Sequence, residues 1–293
     1  MTKSILLTGG ASQVGVAIAR LLKQSGNEVV FASRSGRVPD GFKSVRMDWY
    51  DTQTFANIFP GDPALSPYHS VYLLCPPFDL KPYISVNPFI DICLERGVKK
   101  FVLLGGTDEV ADGNDTEYVE IQRHLEKKGC RYVVLRPTWF CENFLNYFGE
   151  SIRTTGAFTT SVATGKIPFV AVEDVAQVGY KALVEEDSAK EKVIIGPELL
   201  TYDQAATTLS QILRRQITHI SVSKDDLIEI YDAIGSHENS LLVAGLEERA
   251  EAGTQERWWD MSAIQNVKDD ERDICIGRMK LAQWAEGCKD RLV

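Results

Sequence analysis

Two hydrophobic patterns alternate through the first half of the chain. Short β-rich runs that are apolar almost throughout are separated by longer stretches in which apolar residues recur every three or four positions. Such runs are typical of parallel strands covered on both faces, and the longer spacing is typical of amphipathic helices. The predicted strands are Lys3–Thr8, Glu28–Ser33, Ser44–Met47, Ser70–Cys75, Lys100–Leu104 and Arg131–Leu135. The alternation predicts a doubly wound parallel α/β sheet.

The pattern changes beyond Pro137, where the aromatic-rich segment "TWFCENFLNYF" precedes a Gly- and Thr-rich loop at 154–165. The last stretch, 237–293, is predicted to be helical with an interruption at "EAGTQERWWD". Between them come predicted helices at about 173–185, 201–214 and 223–233, and β-like runs at 192–196 and 216–222.

This change predicts two domains. Residues 1–150 would form the sheet domain, and residues 151–293 a smaller α/β substrate lobe, with segments around 166–222 packing back on the first domain. A lobe that closes over a sheet is a common place for a substrate pocket.

Composition and charge narrow the class of protein. Of 293 residues, 44% are hydrophobic and 25% charged, and no apolar run approaches the roughly 18 residues that span a bilayer. The start of the chain lacks the apolar region of a signal peptide, so we expect a cytoplasmic protein with no membrane segment. A net charge of −9 argues against nucleic acid as a partner.

Cysteine and histidine positions predict no metal site. The six cysteines form no C-x-x-C pair and lie mostly in apolar runs, which predicts reduced core residues. The four histidines form no H-x-x-x-H pair and no cluster with cysteine. We therefore expect no bound metal.

The stretch "LTGGASQVG" connects the first predicted strand to a helix at Gln13–Ser25. Glycines at such a turn let backbone N–H groups approach a pyrophosphate, and the helix N-terminus adds a favourable dipole. A P-loop is excluded because Val16 and Ala17, after Gly15, are not the required Lys and Ser or Thr. A tight turn that binds no ligand is the remaining alternative.

The end of the second predicted strand reads "FASRSGR". An NAD site in such a sheet places Asp or Glu there for the ribose hydroxyls, whereas an NADP site needs positive charge for the 2′-phosphate. Ser33 and Arg34, with Arg37 nearby, suit the phosphate, and this stretch has no acidic residue. We predict NADP(H) as the cofactor. The alternative is that Arg34 is only a surface residue.

Several motifs, spread over nearly the whole chain, carry a family resemblance: "ILLTGG", "ASRS", "MDWYDTQTF", "LLCPPFDLKP", "GVKKFVLLGG", "YVVLRPTWFCENF", "GKIPFVAVEDVA" and "GPELLTYDQAATTLSQILRRQITHISVSKDDL". They resemble the NmrA-like atypical short-chain dehydrogenases, and within these the fungal ergot-alkaloid reductases of the agroclavine and festuclavine dehydrogenase type. "VLRPTWFCENF" and "GPELLTY" are specific to that subfamily, whereas "TGG" and "VEDVA" occur far more widely. The resemblance implies a Rossmann sheet with the cofactor across its strand ends.

The resemblance also implies which residues contact the cofactor. Family members with this glycine turn usually have Gly where this chain has Ser12, whose hydroxyl can cap the helix or bond a phosphate oxygen. We expect this substitution to affect cofactor affinity and not the fold. The implied contacts are Gly9, Gly10, Ser12, Gln13, Val14, Ser33, Arg34, Asp48 near the adenine, Cys75, Pro76, Gly105, Gly106 and Thr107.

The Tyr-x-x-x-Lys pair of typical short-chain dehydrogenases is missing. Counted back from the "LRP" strand, the Lys position falls at Tyr118 and the Tyr position at Asn114. Carbonyl reduction creates an alkoxide that needs a proton, whereas hydride addition to an iminium, C=N⁺, gives a neutral amine directly. The missing pair therefore favours an imine or iminium substrate. The candidate catalytic residues are Tyr118, Asp108 and Thr107, the first two as proton relays.

Aromatic residues after the "LRP" strand suit a flat indole substrate, whose cation their π faces could stabilise. Core packing is the alternative, because Phe140, Phe144 and Tyr147 share one face of a predicted helix. Either Glu142 or Asn143 could orient the substrate or offset its charge. The predicted substrate-binding residues are Trp139, Phe140, Asn143, Phe144 and Phe169.

Glu173 and Asp174, in "VEDVA", are spaced like paired catalytic carboxylates. They stand where a helix is predicted to begin, and the helix dipole favours acids there. We therefore interpret this pair as helix-stabilising rather than catalytic.

Three functions remain open. The leading hypothesis is an NADPH-dependent reductase of an imine or iminium in fungal indole-alkaloid biosynthesis, in which hydride delivery and substrate shape do most of the catalysis. The second is a redox-coupled cyclase that uses NADP(H) in the same pocket to close a ring of a prenylated indole, including by cycloaddition. The third is a non-catalytic NADP-binding redox sensor. A small-molecule indole alkaloid is the expected partner.

Overall fold

A large sheet is the central feature of the computed structural model, which describes residues 2–59, 68–77, 79–107, 118–186, 189–260 and 272–293. The strands are β1 (Ser4–Leu7), β2 (Glu28–Ser33), β3 (Lys43–Arg46), β4 (Ser70–Leu73), β5 (Lys100–Leu104), β6 (Arg131–Pro137), β7 (Ala157–Thr160), β8 (Glu191–Ile195), β9 (Thr218–Ser221) and β10 (Arg272–Ile276). The large sheet has the order β10-β8-β6-β5-β4-β1-β2-β3, and β7 pairs with β9 separately.

The pairing within the large sheet is that of a dinucleotide-binding fold. β1 pairs in parallel with β2 and with β4, in registers that set Leu7 beside Phe31 and Tyr72. The pairs β2–β3, β4–β5 and β5–β6 are parallel as well. In the order β3-β2-β1-β4-β5-β6 the chain first adds strands on one side of β1 and then on the other, which makes β1 and β4 the topological switch point. Ligands of such sheets bind at the carboxyl ends of the strands beside that point. The predicted doubly wound α/β sheet is confirmed.

The helices follow the predicted pattern where their apolar stripe is long. α1 buries Val14, Ile18 and Leu22 and ends before Gly26, whose φ is 78°. α7 begins with a capping box, in which the side chains of Thr201 and Gln204 each accept from the other residue's backbone N–H. The α-helices are α1 (Gln13–Gln24), α2 (Tyr83–Glu95), α3 (Val119–Lys127), α4 (Asn143–Asn146), α5 (Gly149–Thr155), α6 (Val172–Val184), α7 (Tyr202–Leu213), α8 (Lys224–Asp232), α9 (His237–Glu251) and α10 (Leu281–Gly287).

The chain divides into two compact units. Unit 1 comprises Met1–Arg136, Val175–Lys192 and Asp270–Asp273, and unit 2 comprises Pro137–Asp174, Val193–Asp269 and Ile274–Val293. Each unit has its own core, and the core of unit 2 is rich in aromatic rings. The predicted boundary at residue 150 concerns separately folding domains and stays a prediction.

Two sequence predictions in the second half are wrong. The stretch 237–293 is not helical at Arg272–Ile276, which forms β10 at the edge of the large sheet. Its short apolar run "ICI" follows two charged residues, so it carries little strand signal. The predicted loop at 154–165 contains β7, which pairs in parallel with β9 and sets Phe158 opposite His219.

None of the helices within the described residues has the length and apolar content of a membrane span. No group of three or more His, Cys, Asp or Glu side chains in this part of the chain is arranged to hold a metal ion. The six cysteines are in the thiol form, as their scattered positions predict.

Candidate functional site

The turn after β1 holds two glycines in left-handed backbone conformations, with φ of 84° at Gly9 and 55° at Gly10. A Cβ at Gly9 would lie 2.5 Å from Leu74 Cδ2, and one at Gly10 would lie 3.1 Å from Ser33 Oγ. Conformation and space therefore both favour glycine at these positions. The bare backbone leads into the N-terminus of α1, where N–H groups and the helix dipole favour an anion.

Thr8 fixes this turn to the end of β4. Its buried hydroxyl accepts from the backbone N–H of Leu74 at 2.8 Å. The same oxygen lies 3.2 Å from the carbonyl oxygen of Tyr72 and 3.3 Å from that of Leu74, either of which can accept its proton. Cys75 and Pro76, which follow, are buried. Sequence analysis misses Thr8, whose only signal is its place between an apolar strand and a glycine pair.

Ser12 precedes α1, and its side chain makes no capping hydrogen bond. Its Oγ is buried and has no hydrogen-bond partner among the described residues. A Cβ on Gly15 would come within 2.6 Å of this oxygen, so the bare Gly15 makes room for the serine. The capping alternative for Ser12 is therefore wrong. In the first turn of α1, Gln13 is exposed and Val14 is buried.

The end of β2 lies against the glycine turn. Gly10 N–H donates to Ala32 O at 3.2 Å, and the buried Ser33 is the side chain nearest to Gly10. The next residue, Arg34, is exposed and makes no ion pair with another described residue. The predicted phosphate-binding pair thus stands beside the predicted pyrophosphate turn.

Tyr50 belongs to the same edge of the sheet, and sequence analysis misses it. Its side chain is 67% exposed, its hydroxyl donates to Asp79 Oδ2 at 3.2 Å, and its N–H donates to Asp48 Oδ1 at 3.1 Å. Burial and the carboxylates of Asp79 and Asp48 raise the pKa of Tyr50, and Arg34 acts in the opposite direction. Arg34 and Asp48 are therefore neighbours of an exposed ring that could stack on a planar base.

The loop after β5 carries three further predicted residues. Gly105 N–H donates to Leu135 O at 2.9 Å, so the loop stays paired with β6 beyond the end of β5. A Cβ added at Gly106 would meet no heavy atom of the described residues within 4 Å. Thr107 is buried. None of the described residues therefore fills the place of a side chain at Gly106.

The candidate proton relays are described only in part. Tyr118 directly precedes α3 and is half-buried against the core of unit 1. Asp108 and Asn114 lie outside the described residues. The relay therefore stays a prediction.

The aromatic segment after β6, in unit 2, does not form one continuous helix. Cys141 N–H donates to Val170 O at 2.9 Å, and Phe140 forms a bridge with Val170, so this part of the chain is extended. α4 follows with only four residues. The predicted shared helix face of Phe140, Phe144 and Tyr147 is wrong, because Phe144 is fully buried and Tyr147 is 63% exposed.

Phe144 is the centre of an aromatic core. Its ring centroid lies 5.2 Å from that of Phe169, 5.5 Å from that of Phe158 and 6.0 Å from that of Tyr202. Phe169 is buried as well, so core packing accounts for both of these predicted substrate residues. The predicted residues that keep some exposed surface are Trp139, Phe140 and Asn143.

Glu142 lies in this segment with a buried carboxylate. The carboxylate accepts from Trp284 Nε1 at 3.0 Å and from Val172 N–H at 3.2 Å. Burial raises the pKa of Glu142 to about 7, although these N–H donors act in the opposite direction. The structure thus engages Glu142 with α10 and the start of α6, a role that its position in the sequence does not reveal.

Glu173 and Asp174 lie in the first turn of α6, as the helix-stabilising interpretation predicts. Asp174 has an additional role: its Oδ2 accepts from the backbone N–H groups of Arg278 and Met279, each at 3.0 Å. A Cβ at Gly277 would lie 2.5 Å from this oxygen. The carboxylate therefore holds the segment that leads into α10.

Comparison with known proteins identifies close relatives. No family model matches the chain. The chain is 36% identical over 261 residues to an agroclavine dehydrogenase from Claviceps fusiformis, which covers 87% of this chain and 89% of the relative. It is 33% identical over 264 residues to a festuclavine dehydrogenase from Aspergillus fumigatus, again covering 87% and 89%.

Solved structures share the fold. A nucleoside-diphosphate-sugar epimerase from Staphylococcus aureus superposes with a TM-score of 0.77 at 17% identity, covering 98% of this chain and all of that chain. An NADPH-dependent quinone oxidoreductase from Escherichia coli, solved with NADPH, gives a TM-score of 0.76 at 17% identity, covering 97% and 99%. At this level of identity the likeness concerns the fold alone.

The parallel sheet and its glycine turn define the chain as a protein with a Rossmann-type dinucleotide-binding fold. Within that class, the chain belongs to the family of agroclavine and festuclavine dehydrogenases, as the identities over most of both chains establish.

Proposed function

We propose that the chain is an NADP(H)-dependent oxidoreductase that acts on a C=N bond, an imine or iminium, of an indole-alkaloid intermediate in fungal secondary metabolism. The observation that carries the proposal is the surface at the end of β1 and β2. There the backbone at Gly9 and Gly10 has the conformation and the close neighbours that favour glycine, and Ser33 and Arg34 follow at the end of the adjacent strand. The relatives named above, which act on agroclavine or festuclavine by name, support the substrate class.

The residues present fit the cofactor. The bare backbone of Gly9 and Gly10 would let the pyrophosphate approach α1, where N–H groups of the first helical turn and the unpartnered Oγ of Ser12 would hold it. Ser33 and Arg34 would hold the 2′-phosphate, because a guanidinium is a strong partner for phosphate oxygens. The solved quinone oxidoreductase, which contains NADPH in the same fold, supports this assignment. When bound, the cofactor supplies or accepts the hydride.

The remaining predicted contacts follow the other strand ends. Gln13 and Val14 continue the turn into α1, and Asp48 with Tyr50 would border the adenine. Cys75 and Pro76 after β4, and Gly105 and Gly106 after β5, would border the other end of the dinucleotide, because β4 and β5 lie on the side of β1 away from β2.

The chain lacks the usual groups that donate a proton to the substrate, and a C=N⁺ substrate does not need them. Counted back from the "LRP" strand, Asn114 stands where typical members have the tyrosine acid and Tyr118 where they have the lysine, so the usual pair is missing. Hydride addition to a C=N⁺ carbon leaves a neutral amine and needs no proton at the reacting atoms. A C=N bond is therefore the favoured substrate. Thr107 and Tyr118 would orient the substrate or relay a proton when an amine is released.

Substrate recognition would rest on Trp139, Phe140 and Asn143, the predicted residues that keep exposed surface. Flat rings suit an indole, and their π faces stabilise a cation by about 0.5–2 kcal/mol each. Phe144 and Phe169 would support these residues from the aromatic core instead of contacting the substrate.

Cofactor choice provides the test. Arg34→Ala should weaken NADPH binding about 10- to 100-fold, since a charge-assisted hydrogen bond contributes roughly 1.5–3 kcal/mol, and should leave NADH binding almost unchanged. Arg20→Ala, which removes an exposed arginine of α1, is the matched control and should affect neither cofactor. Titration of protein fluorescence measures the affinity of each variant, and of wild type, for both cofactors. Equal weakening of NADPH and NADH by Arg34→Ala would overturn the phosphate assignment.

A further inference from the structure

A buried arginine at the end of β6 reaches the loop that follows β5. Arg136 Nη1 donates to the carbonyl oxygen of Gly106 at 3.2 Å, and the arginine side chain is only 3% exposed. With the Gly105 N–H bond to Leu135 O, the loop is held both by backbone and by a guanidinium. The loop geometry at Gly106 therefore depends on where Arg136 is fixed.

Arg136 is itself held from two sides. Its Nη2 donates to Gln122 Oε1, on α3, at 2.7 Å and to Glu191 Oε1, on β8, at 3.2 Å. Arg272, on β10, donates to the other carboxylate oxygen of Glu191 at 2.7 Å, and Gln122 Nε2 donates to Glu191 at 3.0 Å. α3 and β8 thus hold the guanidinium directly, and Arg272 holds its partner Glu191 in turn, which leaves the guanidinium little freedom to move.

The loop faces the part of the sheet where the reacting end of the cofactor would lie. The strand order is β2-β1-β4-β5, so a dinucleotide with its phosphorylated ribose at β2 and its pyrophosphate at β1 extends toward β4 and β5. No atom of the described residues lies within 4 Å of where a Cβ at Gly106 would stand, so none of them blocks approach to the loop at that point.

We infer that Arg136 is a positioning residue for hydride transfer: through the Gly106 carbonyl it fixes the Gly105–Thr107 loop beside the nicotinamide end of the cofactor. This inference rests on the proposed function. Arg136 lies near the end of β6 and is buried, and its contact with the loop is to a backbone carbonyl, so its effect on the reacting atoms would be indirect. Misplacement of reacting groups by about 1 Å can lower a rate about 100-fold.

The test compares two arginines of the same strand. Arg136→Met removes the guanidinium and keeps the aliphatic stem, and Arg131→Met does the same at the other end of β6, where Arg131 is exposed and pairs with Glu186. For Arg136→Met we expect an NADPH Kd within about threefold of wild type, because the phosphate contacts remain, and hydride transfer slower by about 10- to 100-fold. The deuterium isotope effect with 4-deuterated NADPH should rise. Arg131→Met should match wild type throughout.

Fluorescence of bound NADPH gives a readout that does not depend on turnover. The emission lifetime reports how firmly the nicotinamide is held, so it should shorten in Arg136→Met and stay at the wild-type value in Arg131→Met. Glu191→Gln, which keeps the shape but loses the charge, should shift the lifetime in the same direction by less, and it answers the question if Arg136→Met does not fold.

A wild-type lifetime and rate in Arg136→Met, or a loss of NADPH affinity as large as the loss of rate, would overturn the inference. Wild-type protein that binds NADPH but reduces no C=N substrate would overturn the proposed function alone, because the lifetimes still decide the role of Arg136. Wild-type protein that binds no NADPH would overturn both.

Discussion

Glu191 in unit 1 and Glu142 in unit 2 are both buried carboxylates, yet their surroundings drive their pKa values in opposite directions. Burial tends to raise the pKa of Glu191, but the guanidinium groups of Arg136 and Arg272 hold it below its usual value. Glu142 has N–H donors around it instead of a cation, and burial raises its pKa to about 7. The counter-charge, and not burial alone, decides the charge state.

The difference suits the two regions to different tasks. Because its pKa is lowered, Glu191 stays ionised at neutral pH. Arg136, which holds the loop after β5 through the Gly106 carbonyl, therefore keeps its charged partner there. The segment around Glu142, which includes Trp139, Phe140 and Asn143, is held by a carboxyl group that changes its protonation near neutral pH. Its anchoring is therefore more sensitive to conditions.

The largest expected effect comes from removing the carboxylate of Glu191. Glu191→Leu leaves Arg136 buried without its carboxylate partner, which should lower the free energy of unfolding by about 3–5 kcal/mol in urea denaturation. Glu186→Leu, which removes the exposed partner of Arg131, should lower the stability far less, because solvent screens an exposed ion pair. Similar losses in the two variants would contradict the difference drawn between the buried and exposed pairs.

The next effect is a pH dependence of opposite sign in the two regions. The folded pKa of Glu142, about 7, lies above its ordinary value of 4.5, so wild-type protein should lose stability as pH rises from about 4.5 to about 7. The loss is at most about 3 kcal/mol. Glu191 contributes stability that is present above its ordinary pKa and is lost as pH falls through its lowered pKa.

Urea denaturation of wild type and Glu142→Gln between pH 4 and pH 8 isolates the contribution of Glu142. The stability of the variant relative to wild type should rise across the window from about 4.5 to about 7, since the amide cannot ionise. Parallel profiles over that window would show that Glu142 does not titrate there.

A smaller effect is expected from Trp284→Phe. This change keeps most of the ring packing but removes the Nε1 donor to the Glu142 carboxylate, which should cost about 1–2 kcal/mol. The cost should be greater at pH 8 than at pH 5, because the donor stabilises the ionised form. Trp258→Phe, a buried tryptophan outside this contact, is the control and should show no such pH dependence. A cost independent of pH in Trp284→Phe would break the link to Glu142.

Much of the first half of the fold could be predicted from the sequence, because most of its strands are apolar almost throughout. β2 and β5 have the predicted bounds, and the glycine turn lies where the pattern places it. β10 could not be predicted, since "RDICI" is short and polar at its start and becomes a strand only by joining a sheet edge. The helix predicted across Phe140 and Tyr147 fails because a distant segment, at Val170, supplies backbone partners.

The candidate site could be predicted only where residues that are close in the sequence indicate its chemistry. "TGG" and "ASRS" indicate a phosphate-binding surface by residue type, and the structure brings them side by side. The bond from Arg136 to Gly106 and the pairing with Glu191 join positions 30 and 55 residues apart, so no local pattern indicates them. For Ser12, the sequence suggests a helix cap that the structure does not form. Its buried Oγ has no hydrogen-bond partner among the described residues, and it fits only because Gly15 beside it has no Cβ.

Deuterium transfer tests the central claim most directly. Purified protein is incubated with NADPH deuterated at the transferable position and a set of indole imines and iminiums, and the products are analysed by mass spectrometry. We predict a product that carries one deuterium on the carbon of the former C=N bond, with one cofactor consumed for each product formed. Tight NADPH binding without any labelled product, across substrates that related dehydrogenases convert, would contradict the claim and favour a redox sensor.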